Sequence, residues 1–173
     1  MGWKKLNDCV EYWEEPVIGA LNLEGGMRYM ALCRDPASKN PYRGIARQVY
    51  ERKGSQDMPG YVDRSKLVLV ESGDLLKWKV VGDLKIKDME KIVKKLQPKD
   101  SYFIGLEDPD IITDESGRKH LYFTIAYKYK NKSGHKLFLG HAEGRSLEER
   151  DGDSRQVAHQ VLPGGTPGRS ARG

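Results

Sequence analysis

Two acid–acid–proline motifs contain the residues of this chain that are best suited to chemistry. Glu14-Glu15-Pro16-Val17-Ile18 and Glu107-Asp108-Pro109-Asp110-Ile111 share the pattern acid-acid-Pro-x-Ile. Proline lacks a backbone N–H and fixes φ, so each motif holds its acids at the start of a strand. Carboxylates that are brought together at one centre repel each other and are partly desolvated. This raises at least one pKa towards the range that a general acid needs.

A purely structural interpretation of the same residues remains open. Asp-Pro commonly starts a turn. In this interpretation Glu107 would only accept hydrogen bonds from backbone N–H groups. Arg34 would pair with Asp35 or Glu71 at the surface, where an ion pair contributes little.

Composition excludes several classes of protein. The chain has 173 residues, with 38% apolar and 32% charged residues and a net charge of +5. No apolar run approaches the ~20 residues that span a bilayer, and no secretory signal is visible. Two cysteines cannot form a disulfide framework or a four-ligand zinc site. We therefore expect a cytoplasmic protein with no membrane segment, no metal and no cofactor. Because basic and acidic residues are interleaved, a nucleic-acid partner is not expected.

The hydrophobic pattern predicts a β-rich protein with one short helix. Residues 17–33 form a predicted hairpin around Gly25-Gly26. Further strands are predicted at 45–49, 66–71, 111–113, 120–129 and 136–141. Apolar residues at helical spacing predict a helix over 88–97, ended by Pro98, through Met89, Ile92, Val93 and Leu96. Residues 150–173 are rich in Gly, Pro, Ser and Arg, which predicts a disordered tail.

The two acidic motifs belong to an internal repeat. Tyr29 and Tyr122 fall at equivalent positions, each on the second strand of a hairpin, and a further β segment follows in both copies. Each copy therefore predicts an antiparallel sheet of three or four strands, as in a propeller blade. The predicted division is a first blade with a long insertion at 1–83, a helical connector at 84–100, a second blade at 101–149 and the tail at 150–173.

Four motifs together resemble the five-bladed β-propeller glycosidases. They are residues 105–111 with the strand Leu121-Tyr122-Phe123-Thr124, the strand end Met30-Ala31-Leu32-Cys33-Arg34, the segment at 71–78 and the first acidic motif. The closest likeness is to the mannoside phosphorylase and mannosidase family, and a more distant one is to arabinan and fructan hydrolases. The resemblance covers about residues 12–148. It implies an all-β fold that forms a partial propeller of about two blades.

The resemblance also implies a function. Glycoside cleavage uses one carboxylic acid that protonates the leaving oxygen and a second carboxylate that attacks or activates water. Asp108 and Glu15 are the implied catalytic residues. The implied substrate-binding residues are Glu107, Arg34, Trp13, Tyr102 and Asp110. The partner would be a carbohydrate, with inorganic phosphate as a second candidate. Asp110 stands where the phosphorylases have Arg, and Glu15 where mannoside-active members have Asn.

A chain of two blades is expected to be weakly active or inactive alone, unless a homo-oligomer completes the ring. Two other functions remain open. The first is a non-catalytic carbohydrate-binding or interaction module. The second, which is less favoured, is a nucleic-acid-associated protein that uses the mixed basic and aromatic stretch at 127–136.

Overall fold

The computed structural model describes residues 17–18, 28–54 and 60–147, together with the backbone of 157–163. Within these ranges the chain forms eight strands and one helix, which confirms the expected β-rich protein with one short helix. The elements in chain order are β1 Arg28–Arg34, β2 Tyr42–Lys53, β3 Val62–Ser72, β4 Lys79–Asp83, α1 Met89–Leu96, β5 Ser101–Thr113, β6 Lys119–Tyr129, β7 His135–Gly144 and β8 Val157–Pro163.

The strands form one curled sheet in the order β1-β2-β3-β5-β6-β7-β8, with β4 paired to β3 as well. Neighbours are antiparallel within β1–β4 and within β5–β8. One parallel pair, Ser65 with Gly105, joins the two groups. Because the sheet curls, β5 also packs against β1 and β2. The backbone N–H of Ile111 donates to Cys33 Sγ at 3.2 Å across this gap.

The main core lies between the two strand groups. Successive side chains on a strand point to opposite faces, and on β6 the alternate residues Leu121, Phe123, Ile125 and Tyr127 belong to this core. The buried apolar residues that pack together here are Ile45, Leu67, Ile86, Ile111, Leu121, Phe123, Ile125, Tyr127, Ala142 and Leu147. A second cluster lies on the opposite face of β2 and β3, where Trp78 packs on Ala46, Val68 and Val70.

Helix α1 confirms the predicted helix and lies over one end of the main core. Its apolar residues Met89, Ile92, Val93 and Leu96 contact the core, yet none of them is fully buried. The Tyr127 hydroxyl donates to the Val93 carbonyl oxygen at 2.7 Å. No helix in the described part of the chain is long and apolar enough to cross a membrane.

Two predictions from the sequence are corrected by the strands. β2 runs over Tyr42–Lys53 rather than 45–49, because β3 pairs with it from Tyr42 to Lys53 despite its polar residues. The predicted disorder is wrong for Val157–Pro163, which pairs with β7 as β8. The edge of β7 that faces away from β6 offers the backbone groups with which β8 pairs. The rest of the predicted tail, and residues 19–27 of the predicted hairpin, lie outside the described residues.

The junction between the strand groups gives a direct test of the fold. A Cβ atom at Gly105 would lie 2.5 Å from the backbone oxygen of Ser65 and 2.8 Å from its nitrogen. Gly105→Ala should therefore push β3 and β5 apart and lower the free energy of unfolding by about 1–3 kcal/mol. The measurement is urea unfolding followed by circular dichroism.

Gly82→Ala is the matched control, because a Cβ at Gly82 meets nothing within 4 Å. Equal stability of the two variants would show that the Ser65–Gly105 contact does not hold the groups together.

Candidate functional site

A bulge in β5 positions the second acidic motif. Glu107 pairs with Thr124 and Asp110 with Tyr122, so β5 has one extra residue between these pairs. Asp108 adopts a φ of 48°, in the left-handed region, which Asp tolerates better than most residues. Bulges bend a strand and re-aim its side chains. Here the bulge brings two consecutive acidic side chains to one partner.

That partner is Arg47 of β2. Arg47 Nη2 donates to Glu107 Oε1 at 2.6 Å, and Nη1 lies 3.4 Å from Asp108 Oδ1. The Arg47 and Glu107 side chains are 12% and 13% exposed, whereas that of Asp108 is 61% exposed. One guanidinium thus holds two carboxylates in unlike surroundings. Both carboxylates bind the guanidinium group of Arg47, so the oxygens that they present to it lie close together. Their separation is below roughly 9.5 Å, the upper limit for the distance between the two catalytic carboxylates of glycosidases.

Glu107 is the more protected of the two acids. Burial raises the pKa of Glu107, and the neighbouring charges of Asp108 and Asp63 raise it further. Arg47 and the hydroxyl of Ser65 act in the opposite direction and offset only part of this effect. Ser65 Oγ lies 3.3 Å from Glu107 Oε1 and 3.2 Å from the carbonyl oxygen of Leu106. The carboxyl group is therefore disposed to keep a proton to a higher pH than a free Glu.

A second group of charges lies beside this pair. Arg28 Nη2 and the Tyr61 hydroxyl both bind Asp63 Oδ2. Arg52 Nε lies 3.7 Å from the other Asp63 oxygen, and its guanidinium lies over the Tyr61 ring. Because the charge of Asp63 acts on Glu107, the two groups belong together. We refer to their members as the charged cluster: Arg28, Arg47, Arg52, Tyr61, Asp63, Ser65, Glu107 and Asp108.

Three buried atoms of the charged cluster lack a hydrogen-bond partner among the described residues. They are Arg28 Nε, Arg47 Nε and Asp63 Oδ1. An unsatisfied buried polar atom costs about 1–3 kcal/mol, and such atoms are rare in native proteins. Two donors and one acceptor of the cluster thus make no hydrogen bond within the described residues, although Arg52 Nε lies 3.7 Å from Asp63 Oδ1.

The structure unites only some of the predicted site residues. Glu107 and Asp108 meet at Arg47. Asp110 lies beyond the bulge, and its Oδ1 is 3.6 Å from Cys33 Sγ. Burial raises the pKa of this thiol. Glu15 and Trp13 lie outside the described residues.

Two other predicted substrate contacts have structural partners elsewhere. Arg34 lies over the Tyr42 ring, 5.1 Å from its centre, and donates to the backbone oxygen of Ser38. Tyr102 packs on a small apolar cluster of Val62, Ile104 and Ala126. These contacts give both residues a role in packing.

Sequence reasoning missed most of the charged cluster. On β3, Asp63 and Ser65 stand in the same alternation as Leu67 and Leu69, which face the main core. On β2, Arg47 lies two residues after Ile45, which faces the main core, and so belongs to the same face of the strand. Polar residues at positions where a strand otherwise faces the core were the signal that could have found them.

The described residues include no group of three or more His, Cys, Asp or Glu placed to hold a metal ion. Comparisons of the chain with protein-family models, with curated proteins and with solved structures found no match. The candidate site is therefore interpreted from its geometry.

The Arg47–Glu107 pair can be tested by removing one or both charges. Arg47→Met should lower the free energy of unfolding by roughly 3–5 kcal/mol, because it leaves a carboxylate buried without its partner. The double variant Arg47→Met/Glu107→Leu should recover most of this loss, since apolar residues can replace a buried pair. Urea unfolding measures both values.

Arg43→Met on the same strand serves as the control. Arg43 pairs with Glu71 at 3.6 Å and is more exposed, so its loss should cost less than about 1 kcal/mol. If the double variant is no more stable than Arg47→Met, the two residues are not coupled.

The raised pKa of Glu107 predicts a pH dependence of stability. Below the ordinary Glu pKa of 4.5, Glu107 is protonated in both states. As pH rises, the unfolded chain ionises first, so the native state loses stability until pH passes the folded pKa. The stability of the wild type minus that of Glu107→Gln should therefore fall as pH rises above about 4.5. The measurement is unfolding curves of both proteins recorded between acid and neutral pH. If the stability difference grows with pH, the charge of Arg47 outweighs burial in setting the pKa of Glu107.

Proposed function

We propose that the charged cluster binds a sugar and that the chain acts as a glycoside hydrolase or phosphorylase on mannosides or related sugars. The observation that carries this proposal is the sharing of Arg47 by two carboxylates in unlike surroundings. Pairs of acids whose surroundings differ in this way divide the roles of acid and base in glycosidases.

The surroundings assign a role to each carboxyl group. Glu107 is partly buried and its pKa is raised, so it is suited to give its proton to the oxygen of the glycosidic bond. Asp108 is exposed and accepts from Arg47 Nη1. It is suited to attack the sugar or to take a proton from water. The sequence predicted Asp108 as a catalytic residue and Glu107 as a substrate-binding residue; the proposal keeps Asp108 in catalysis and adds Glu107 as the acid. Glu15 remains a predicted catalytic residue.

The fold is compatible with the proposed family. β1–β4 and β5–β8 each form an antiparallel group of four strands, which is the usual size of a propeller blade. We propose that the two groups are two neighbouring blades and that the charged cluster lies where they meet.

Three guanidinium groups give the cluster a means of binding an anion. Arg28 and Arg52 pair with Asp63, and Arg47 pairs with Glu107. Arginine is well suited to bidentate contacts with phosphate. In a phosphorylase, inorganic phosphate would take the place of water as the group that receives the sugar. Dependence of turnover on phosphate distinguishes the two reactions.

A non-catalytic sugar-binding module is the second candidate. The 2.6 Å contact of Glu107 with Arg47 suits a carboxylate that stays charged and accepts hydrogen bonds from sugar hydroxyls. Binding without turnover would favour this function.

The proposal predicts that mannosides bind and that the two carboxylates are needed. Methyl α- and β-mannosides and methyl arabinosides are titrated by calorimetry, and 4-nitrophenyl glycosides are tested for cleavage with and without phosphate. Glu107→Gln and Asp108→Asn should each weaken binding by roughly 10- to 100-fold, the effect of losing a hydrogen bond to a charged group. Any cleavage by the wild type should disappear in Glu107→Gln.

Asp88→Asn is a matched control. Asp88 has a φ of 58°, like Asp108 near 48°, and it also pairs with a basic residue at the surface, Lys91. Its replacement should leave binding unchanged. The proposal is wrong if no sugar of the panel binds, or if Glu107→Gln and Asp108→Asn bind as tightly as the wild type.

A further inference from the structure

A cavity of about 570 Å³ lies between α1 and the sheet. Small-molecule sites have volumes of about 300–1,000 Å³ and mainly apolar walls with a few polar groups. Most of this wall is apolar and comes from Met89, Val93, Phe103 and Leu106, while polar and charged residues line the rest. The cavity therefore has the size and lining of a site for an apolar group.

The cavity explains why α1 is incompletely buried. The helix presents a continuous apolar face at helical spacing, yet none of its residues is fully buried. Met89 and Val93, one turn apart on that face, line the cavity. A group that filled the space would cover apolar surface on α1 and on β5 together, which favours its binding.

The cavity shares part of its wall with the charged cluster. Ser65 lines the cavity and is almost completely buried, and its Oγ lies 3.3 Å from Glu107 Oε1. Leu106, the residue before Glu107, lines the cavity as well. A molecule that reaches from the cluster into the cavity would pass beside the carboxyl group that we assign as the acid.

We infer that the cavity is the subsite for the leaving group, and that the substrates are glycosides whose leaving group is aromatic or alkyl. This inference rests on the proposed function, because it needs a sugar on the charged cluster. A general acid protonates the oxygen between the sugar and its leaving group. Because Ser65 contacts Glu107 and also lines the cavity, the cavity is the space beside Glu107 that suits the leaving group, and its apolar wall favours an apolar group.

Calorimetry with methyl, ethyl, propyl, butyl and phenyl mannosides tests the inference. Affinity should rise roughly fourfold for each added methylene, from the transfer free energy of a buried CH₂. In Val93→Trp, which fills the cavity, the ratio of butyl to methyl affinity should fall to near one. Met89→Trp, which fills it from the preceding turn of α1, provides a second variant should Val93→Trp not fold. Val80→Trp on β4, whose side chain is exposed outside the cavity, should keep the full ratio.

The outcomes separate the two proposals. If methyl mannoside binds but the longer chains bind no more tightly, the subsite is wrong and the proposed function stands. If the rise persists in the filled variants, the apolar group lies elsewhere and the subsite is again wrong. If no mannoside of the series binds, both proposals fall. A rise that Val93→Trp or Met89→Trp removes and Val80→Trp keeps supports the subsite.

Discussion

The close approach of Gly105 to Ser65 is the constraint on which the candidate site depends. It is the only residue pair that joins β3 to β5 in the described sheet, and a side chain at Gly105 would overlap the backbone of Ser65. Because the strands meet here, Ser65 Oγ reaches the backbone of Leu106 and the carboxyl group of Glu107. The same approach brings β5 close to β2, so that Arg47 can bind both acids.

The charged cluster is difficult to explain by stability alone. Burying a charge pair has a desolvation penalty that can exceed the attraction between the charges. Three of its buried atoms also lack hydrogen-bond partners among the described residues. A fold that needed only stability would be better served by apolar side chains at Arg47 and Glu107. The proposed binding of a sugar would account for both features.

Local patterns predicted the elements, while the site depends on contacts between distant segments. The periodicity of residues 88–97 predicted α1, and the alternation of β6 could be read directly from the sequence. The repeat identified Glu107 and Asp108. Arg47 could not be assigned, because its contact with Glu107 needs the register of β2 on β3 and the curl that brings β5 across. The full length of β2 was missed for a related reason, since its pairing with β3 along the whole strand outweighs its mixed composition.

The bulge at Asp108 shows how neighbouring acids can act on one centre. In a regular strand Glu107 and Asp108 would point to opposite faces of the sheet. The extra residue and the left-handed backbone of Asp108 turn both towards Arg47, and Pro109 keeps the bulge free of a backbone donor. A sugar bound over the cluster would exclude water from Glu107. Since burial is already the main cause of its raised pKa, binding would raise that pKa further and favour the protonated form that glycoside cleavage needs.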